Sequence, residues 1–238
     1  FLNEIIIIVV IIIGKNILLI IPHPDDETFI AGGTIYKNQR LGGKTSIVCA
    51  SLGERGTLYL PHKMTKKELM NARKKEIEMV AKYLKVNNLF TFKFPDGELN
   101  LYKKEIFNRA LKIADKLNPD LIISFDKFGL SGHRDHIAIS KISKKICRKL
   151  KISFYTATIS PKISPRFGEV VKNRKRGNHY KKKIKYSKPD VKIKINPDVK
   201  LKAFSFYKTQ GADKDTFRGM PESFEKEILK AEYFTKQI

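Results

Sequence analysis

Ile17-Leu18-Leu19-Ile20-Ile21-Pro22-His23-Pro24-Asp25-Asp26-Glu27 changes character across a single proline. Five unbroken apolar residues stand on one side, a cluster of ionisable ones on the other. An apolar run of this length without alternation suits a strand buried on both faces, as parallel strands are. Pro22 ends it, because proline has no N–H to give to a ladder.

Working outward, the same punctuation recurs. Residues 29–40 read as a helix closed by Gly42-Gly43, and 45–51 as a second strand. Thr65-x-x-Glu68 is a capping box that opens a helix reaching about Leu84. A strand over 89–94, a helix over 103–117 stopped at Asn118-Pro119, and a strand over 121–125 follow. A helix over 136–150 and a strand over 152–158 complete the series. Strands alternating with helices predict an α/β fold, a parallel sheet covered by helices on both faces with right-handed crossovers.

After residue 159 the pattern changes. Residues 160–190 carry Pro161, Pro165, Gly168, Gly177 and Pro189 and little apolar periodicity. Between 172 and 202 stand thirteen Lys and Arg against two acids. This reads as a basic insertion, exposed and mobile, on one domain spanning 16–238. Residues 191–195 alternate like an edge strand, and 198–210 and 222–236 read as two closing helices. Residues 1–15 form a separate apolar segment. Its run IIIIVVIII at 5–13 is too short to span a bilayer alone, which takes about 20 residues. It reads as the end of a membrane anchor, a buried extra strand or the apolar part of a signal sequence. A first residue of Phe rather than Met reads as a fragment or a trimmed product.

The chain has 238 residues, 42% apolar and 30% charged, which fits a globular chain and excludes a disordered one. Its 48 Lys and Arg against 24 Asp and Glu leave a net charge of +24. That excludes strongly basic partners and makes anionic ones worth considering, although a Lys- and Ile-rich composition explains much of it. Cys49 and Cys147 lack CxxC spacing and read as core residues. Two such cysteines fit a reducing compartment and a cytoplasmic location, with or without membrane association.

Of five histidines, three sit in two compact motifs: His23 in the segment quoted above, His133 and His136 in Ser131-Gly132-His133-Arg134-Asp135-His136. His62 and His179 read as surface residues. Each motif follows a predicted parallel strand, and in open α/β sheets ligands bind outside the carboxyl ends of strands where the strand order reverses. The two motifs can therefore meet. Imidazoles from His23 and His136 with a carboxylate from the first motif would make a three-ligand zinc site with a position left for water. The adjacent acid would then serve as general base. His133 could donate a proton or hydrogen bond to an oxyanion, and Asp135 could orient either histidine.

PHPDDE and GHRDH resemble the (A/P)HPDDE and GHxxH motifs of the PIG-L/LmbE-like family of zinc-dependent de-N-acetylases. The resemblance covers roughly residues 16–158. It extends to Gly53-Glu54 with Gly56, to Arg73-x-x-Glu76, to Pro95-Asp96-Gly97, to Asp126 before GLSGH, and to Lys202-Ala203 through Tyr207-x-Thr209-Gln210. It implies a Rossmann-like sandwich, His23, Asp26 and His136 as ligands of Zn2+ or another divalent metal, and Asp25 as general base. It further implies that His133 is the electrophilic or acid histidine, with Asp135 as its orienting partner. Arg134 stands where the family commonly has proline. No GxGxxG follows the first strand, so no dinucleotide is expected.

The function implied is removal of an acetyl group from an N-acetylglucosamine unit on a glycolipid or small glycoside. An amidase for another N-acylated metabolite is the neighbouring reading. A nucleic-acid or anionic-surface binder is the rival from another class. No aromatic-interleaved basic motif supports nucleic acid. The basic insertion and the Ile run together would suit peripheral contact with an anionic membrane.

Overall fold

The computed structural model describes residues 11–56, 60, 62–174, 186–212, 217 and 220–238. The alternation read from the sequence is present: β1 (Asn16–Ile21), α1 (Asp26–Arg40), β2 (Lys44–Cys49), α2 (Lys66–Tyr83), β3 (Asn88–Thr91), α3 (Lys103–Leu117), β4 (Leu121–Ser124), α4 (Arg134–Leu150) and β5 (Ser153–Thr158). The capping box opens α2 as expected, with the Glu68 carboxylate accepting from the Thr65 N–H at 2.7 Å. Two helices begin earlier than their apolar periodicity, α1 at Asp26 and α4 at Arg134. Acidic and capping residues occupy those first turns, and the apolar repeat starts only behind them.

The sheet order is β3-β2-β1-β4-β5, continued by β7 (Ala231–Lys236) and β6 (Val191–Lys194). Strands β1 to β5 pair in parallel. Successive side chains of β1 point to opposite faces. Ile17, Leu19 and Ile21 pack with α1, α2, α6 (Pro197–Phe204) and α7 (Glu222–Lys230). Leu18 and Ile20 pack with Ile106 and Ala110 of α3 and Ala138 and Ile142 of α4. Cys49 and Cys147 are buried in these two cores.

The parallel sheet of β1 to β5 is extended by an antiparallel edge, because β7 runs antiparallel to both β5 and β6. Two expectations for the last third are corrected. The helix expected over 222–236 stops at Lys230, and the rest of it is β7. The slot between β5 and β6 offers unpaired backbone groups on both sides, and Phe234 is fully buried there, so tertiary pairing outweighs helical periodicity. The helix expected over 198–210 ends at Phe204 and resumes only as a 3-10 turn over Lys208–Gln210. The edge strand at 191–195 is present as β6. The front of the basic insertion is a helix, α5 (Ser164–Arg174), whose Phe167 is buried against Phe29 and Phe224. Residues 175–185 and 1–10, on which the membrane reading depends, lie outside the described residues. Ile12 and Ile13 are buried in the turn before β1. No helix among the described residues is long and apolar enough to cross a membrane.

Helix α1 carries the first motif at its N-terminus and is held by a buried ion pair. Glu232 on β7 accepts from the Gly33 and Thr34 N–H groups of α1 at 3.0 and 2.7 Å. Lys200 on α6 donates to Glu232 and to the Phe29 carbonyl, both at 2.8 Å. A side chain at position 33 would collide with Ile195, so only glycine allows this approach. Lys200→Met leaves the Glu232 charge buried and unpaired. It should lower unfolding stability by about 3–5 kcal/mol, read from chemical denaturation; an unchanged midpoint would refute the role given to this pair.

Candidate metal centre and active site

The strand order reverses between β1 and β4, so the loops leaving these two strands diverge and open a crevice. Both histidine motifs lie there. After β1, Pro22–Asp25 turns sharply, and Asp25 adopts the left-handed conformation (φ 94°) as N-cap of α1. The Asp26 carboxylate accepts from the His23 N–H at 3.0 Å and closes the turn. After β4, the Asp126 carboxylate accepts from the Phe128 and Leu130 N–H groups, both at 3.0 Å. It thereby shapes the helical turn Gly129–Gly132 that precedes α4. His133 caps α4, its Nδ1 accepting from the Asp135 N–H at 3.3 Å.

Three aspartates close around His23. Its Nε2 lies 2.9 Å from Asp96 and 3.2 Å from Asp135, and its Nδ1 lies 3.3 Å from Asp26. The other oxygen of Asp26 is 3.5 Å from His136 Nε2. The rings of His23, His133 and His136 are mutual neighbours, with centroids 4.9–5.5 Å apart. Burial by itself would lower the pKa of His23, but hydrogen bonds that its ring donates to Asp135, Asp26 and Asp96 raise it well above its ordinary value. Burial would raise Asp26; the charges of His136 and His23 outweigh it and bring Asp26 down to about 2. Burial pushes Glu27 up to about 7, against hydrogen bonds from Thr28 and Tyr207.

This donor set fits a divalent metal. Several carboxylates gathered in a buried space call for a cation. The ring nitrogens are set for it as well. His136 Nδ1 lies 3.1 Å from the Gly129 carbonyl, which can only accept, so the lone pair of Nε2 faces Asp26. His23 Nε2 is turned to Asp96 and Asp135, which leaves Nδ1 toward Asp26. The residues expected as ligands, His23, Asp26 and His136, are thus joined through the Asp26 carboxylate. Two overlapping groups, His23 with His133 and His136 and His23 with Asp96 and Asp135, each hold ligand atoms within 4.8 Å of one another.

Asp25 faces the more open side, its side chain 34% exposed against 11% for Asp26. Arg73 of α2 reaches it at 3.0 Å and also donates to the Pro24 and Gly53 carbonyls. Gly53, at φ 67°, has no side chain to block that guanidinium. The Asp135 carboxylate turns to His23 and to the N–H groups of Gly97 and Leu99, at 2.7 and 3.1 Å. The backbone N–H of Asp135 donates to Nδ1 of His133.

Asp96 escaped the reading of the sequence as a site residue, although its Pro-Asp-Gly turn follows a strand end and was visible. The contact of Arg73 with Asp25 left no local signal, since 48 residues separate them. His62 is exposed, as expected, and His179 lies outside the described residues.

The PIG-L family, described as GlcNAc-PI de-N-acetylase, matches residues 18–147, more than half of the chain. The chain belongs to this family. Among its relatives is a Bacillus anthracis protein named "probable N-acetyl-alpha-D-glucosaminyl L-malate deacetylase 2". It is 29% identical over 85% of this chain and 84% of its own length. Two solved structures share the fold at a TM-score of 0.65. The N,N'-diacetylchitobiose deacetylase of Pyrococcus horikoshii is 24% identical, covering 94% of this chain and 84% of that one. The 4-carboxy-2-hydroxymuconate hydratase GalB of Pseudomonas putida is 18% identical, covering 94% and 96%.

Asp135→Ala removes the acceptor for two backbone N–H groups of the Asp96 loop. Stability should fall by about 1–3 kcal/mol, measured by urea denaturation of the metal-free protein. An unchanged transition would show that the loop does not depend on this carboxylate.

Proposed function

We propose that this protein is a metal-dependent hydrolase that removes the N-acetyl group from an N-acetylglucosamine-bearing substrate. The observation that carries the reading is the meeting of the two histidine motifs at the switch point, with Asp25 on the open side, in a chain of this family. The names of the family and of its relatives support an N-acetylglucosaminyl substrate. His23, Asp26 and His136 would hold the metal. Zinc is the first choice for two imidazoles and a carboxylate, and iron, cobalt or manganese suit the same donors.

A bound divalent metal supplies Lewis acidity for the amide carbonyl and acidifies a water. The residues of the chain do the rest. Asp25 takes the proton of the attacking water at its carboxylate and later returns one to the departing amine. Arg73 keeps that carboxylate aimed. His133, at the N-cap of α4, donates to the oxygen on which charge develops. Asp96 and Asp135 fix His23 through its Nε2.

The test is incubation of the zinc-loaded protein with a panel of N-acetylglucosaminides and other N-acyl compounds, scoring free amine and acetate. N-Acetylglucosaminides should be deacetylated. No turnover across the panel would leave a binding protein, and turnover confined to other N-acyl compounds would leave a different amidase.

Metal analysis separates the ligands from the acid–base groups. His23→Ala and His136→Ala should lose bound zinc. Asp25→Asn and His133→Ala should keep it while turnover drops about 10²–10⁴-fold. Full zinc occupancy in both of the first pair, or near wild-type turnover in either of the second, would overturn the corresponding assignment.

A further inference from the structure

Asp25 is held in a backbone conformation that a residue with a side chain rarely adopts, with φ 94° and ψ −26°. Such a conformation persists only where its surroundings enforce it. Two arms do so here. On the side chain, Arg73 donates to Oδ2 at 3.0 Å. On the backbone, the Asp25 N–H donates to Oε2 of Glu27 at 3.1 Å.

The second arm has a remote anchor. Oε1 of Glu27 accepts from the Tyr207 hydroxyl at 2.5 Å and from the Thr28 hydroxyl at 2.6 Å. Tyr207 lies 180 residues further along the chain, in the link between α6 and the 3-10 turn. Glu27 and Tyr207 are both fully buried. Two residues after Tyr207, the N–H and hydroxyl of Thr209 both donate to Glu76, each at 2.7 Å. Glu76 stands one helical turn after Arg73 on α2. The arm on the Asp25 backbone and the arm on its carboxylate are therefore tied to each other.

We propose that Tyr207, acting through Glu27, is a positioning residue for Asp25: its hydroxyl fixes the Glu27 carboxylate, which holds the Asp25 N–H and with it the direction of the Asp25 side chain. Neither Tyr207 nor Glu27 is exposed to a substrate, so both act through Asp25. The inference rests on Asp25 being the general base.

Tyr207→Phe removes one oxygen and keeps the packed ring. The test is a double-mutant cycle on the zinc-loaded enzyme, comparing wild type, Tyr207→Phe, Asp25→Asn and the double variant on one responsive N-acetylglucosaminide. In the wild-type background kcat should fall about 10–100-fold, the cost of misplacing a catalytic group. KM should stay within about twofold, and zinc content should be unchanged. In the Asp25→Asn background the same substitution should change turnover by less than about twofold, since the carboxylate it aims is gone. Near wild-type kcat in Tyr207→Phe would overturn the inference. So would an equal fold-loss in both backgrounds, or lost zinc, each of which marks a general structural effect. Near wild-type turnover in Asp25→Asn would instead overturn the general-base reading and everything built on it. If Tyr207→Phe does not fold, Thr28→Val removes the other donor to the same Glu27 oxygen and is read by the same cycle.

Discussion

Three carboxylates within 3.3 Å of the ring nitrogens of one buried histidine concentrate negative charge where water cannot dilute it. The elements around the crevice are arranged to make this tolerable. Asp26 sits in the first turn of a helix, where the exposed N–H groups favour an anion. Asp135 accepts two backbone N–H groups from the loop after β3, and Asp96 accepts one from the loop after β2. The charge that these contacts leave uncompensated is what suits the place to a divalent cation. The carboxylates thus join the loops after β1, β3 and β4 into one structure.

Helix starts position much of the site: Asp26 and Asp135 stand in the first turns of α1 and α4, and His133 caps α4. Two non-glycine residues with positive φ, Asp25 and Leu130 at φ 55°, lie in the two loops that carry the histidines. Each gives its backbone N–H to a carboxylate, Glu27 in one case and Asp126 in the other. The unfavourable conformations are what turn Asp25 outward and bring the Gly129 carbonyl against His136.

Fold and reaction separate clearly here. A deacetylase and a hydratase match the chain with the same TM-score, so the sandwich does not choose the chemistry. The family match, and the side chains gathered at the switch point, carry the functional reading. The net charge of +24 carries little of it, because the centre itself is acidic.

The parallel half of the sheet, the capping box of α2 and both histidine motifs were legible in the sequence, because each is written within a few consecutive residues: an apolar run, a Thr-x-x-Glu, a His-x-Asp-Asp. Interactions between distant segments were not. Nothing local marks Asp96 as the partner of His23, Arg73 as that of Asp25, or Tyr207 as that of Glu27; each pair meets only after the sheet has assembled. The same holds for Ala231–Lys236, whose pattern suits a helix until β5 and β6 present backbone groups to either side. Local chemistry determined which residues could act and which elements would form around them. Tertiary structure decided which charges face one another, because that depends on the strand order and on where distant loops are brought together.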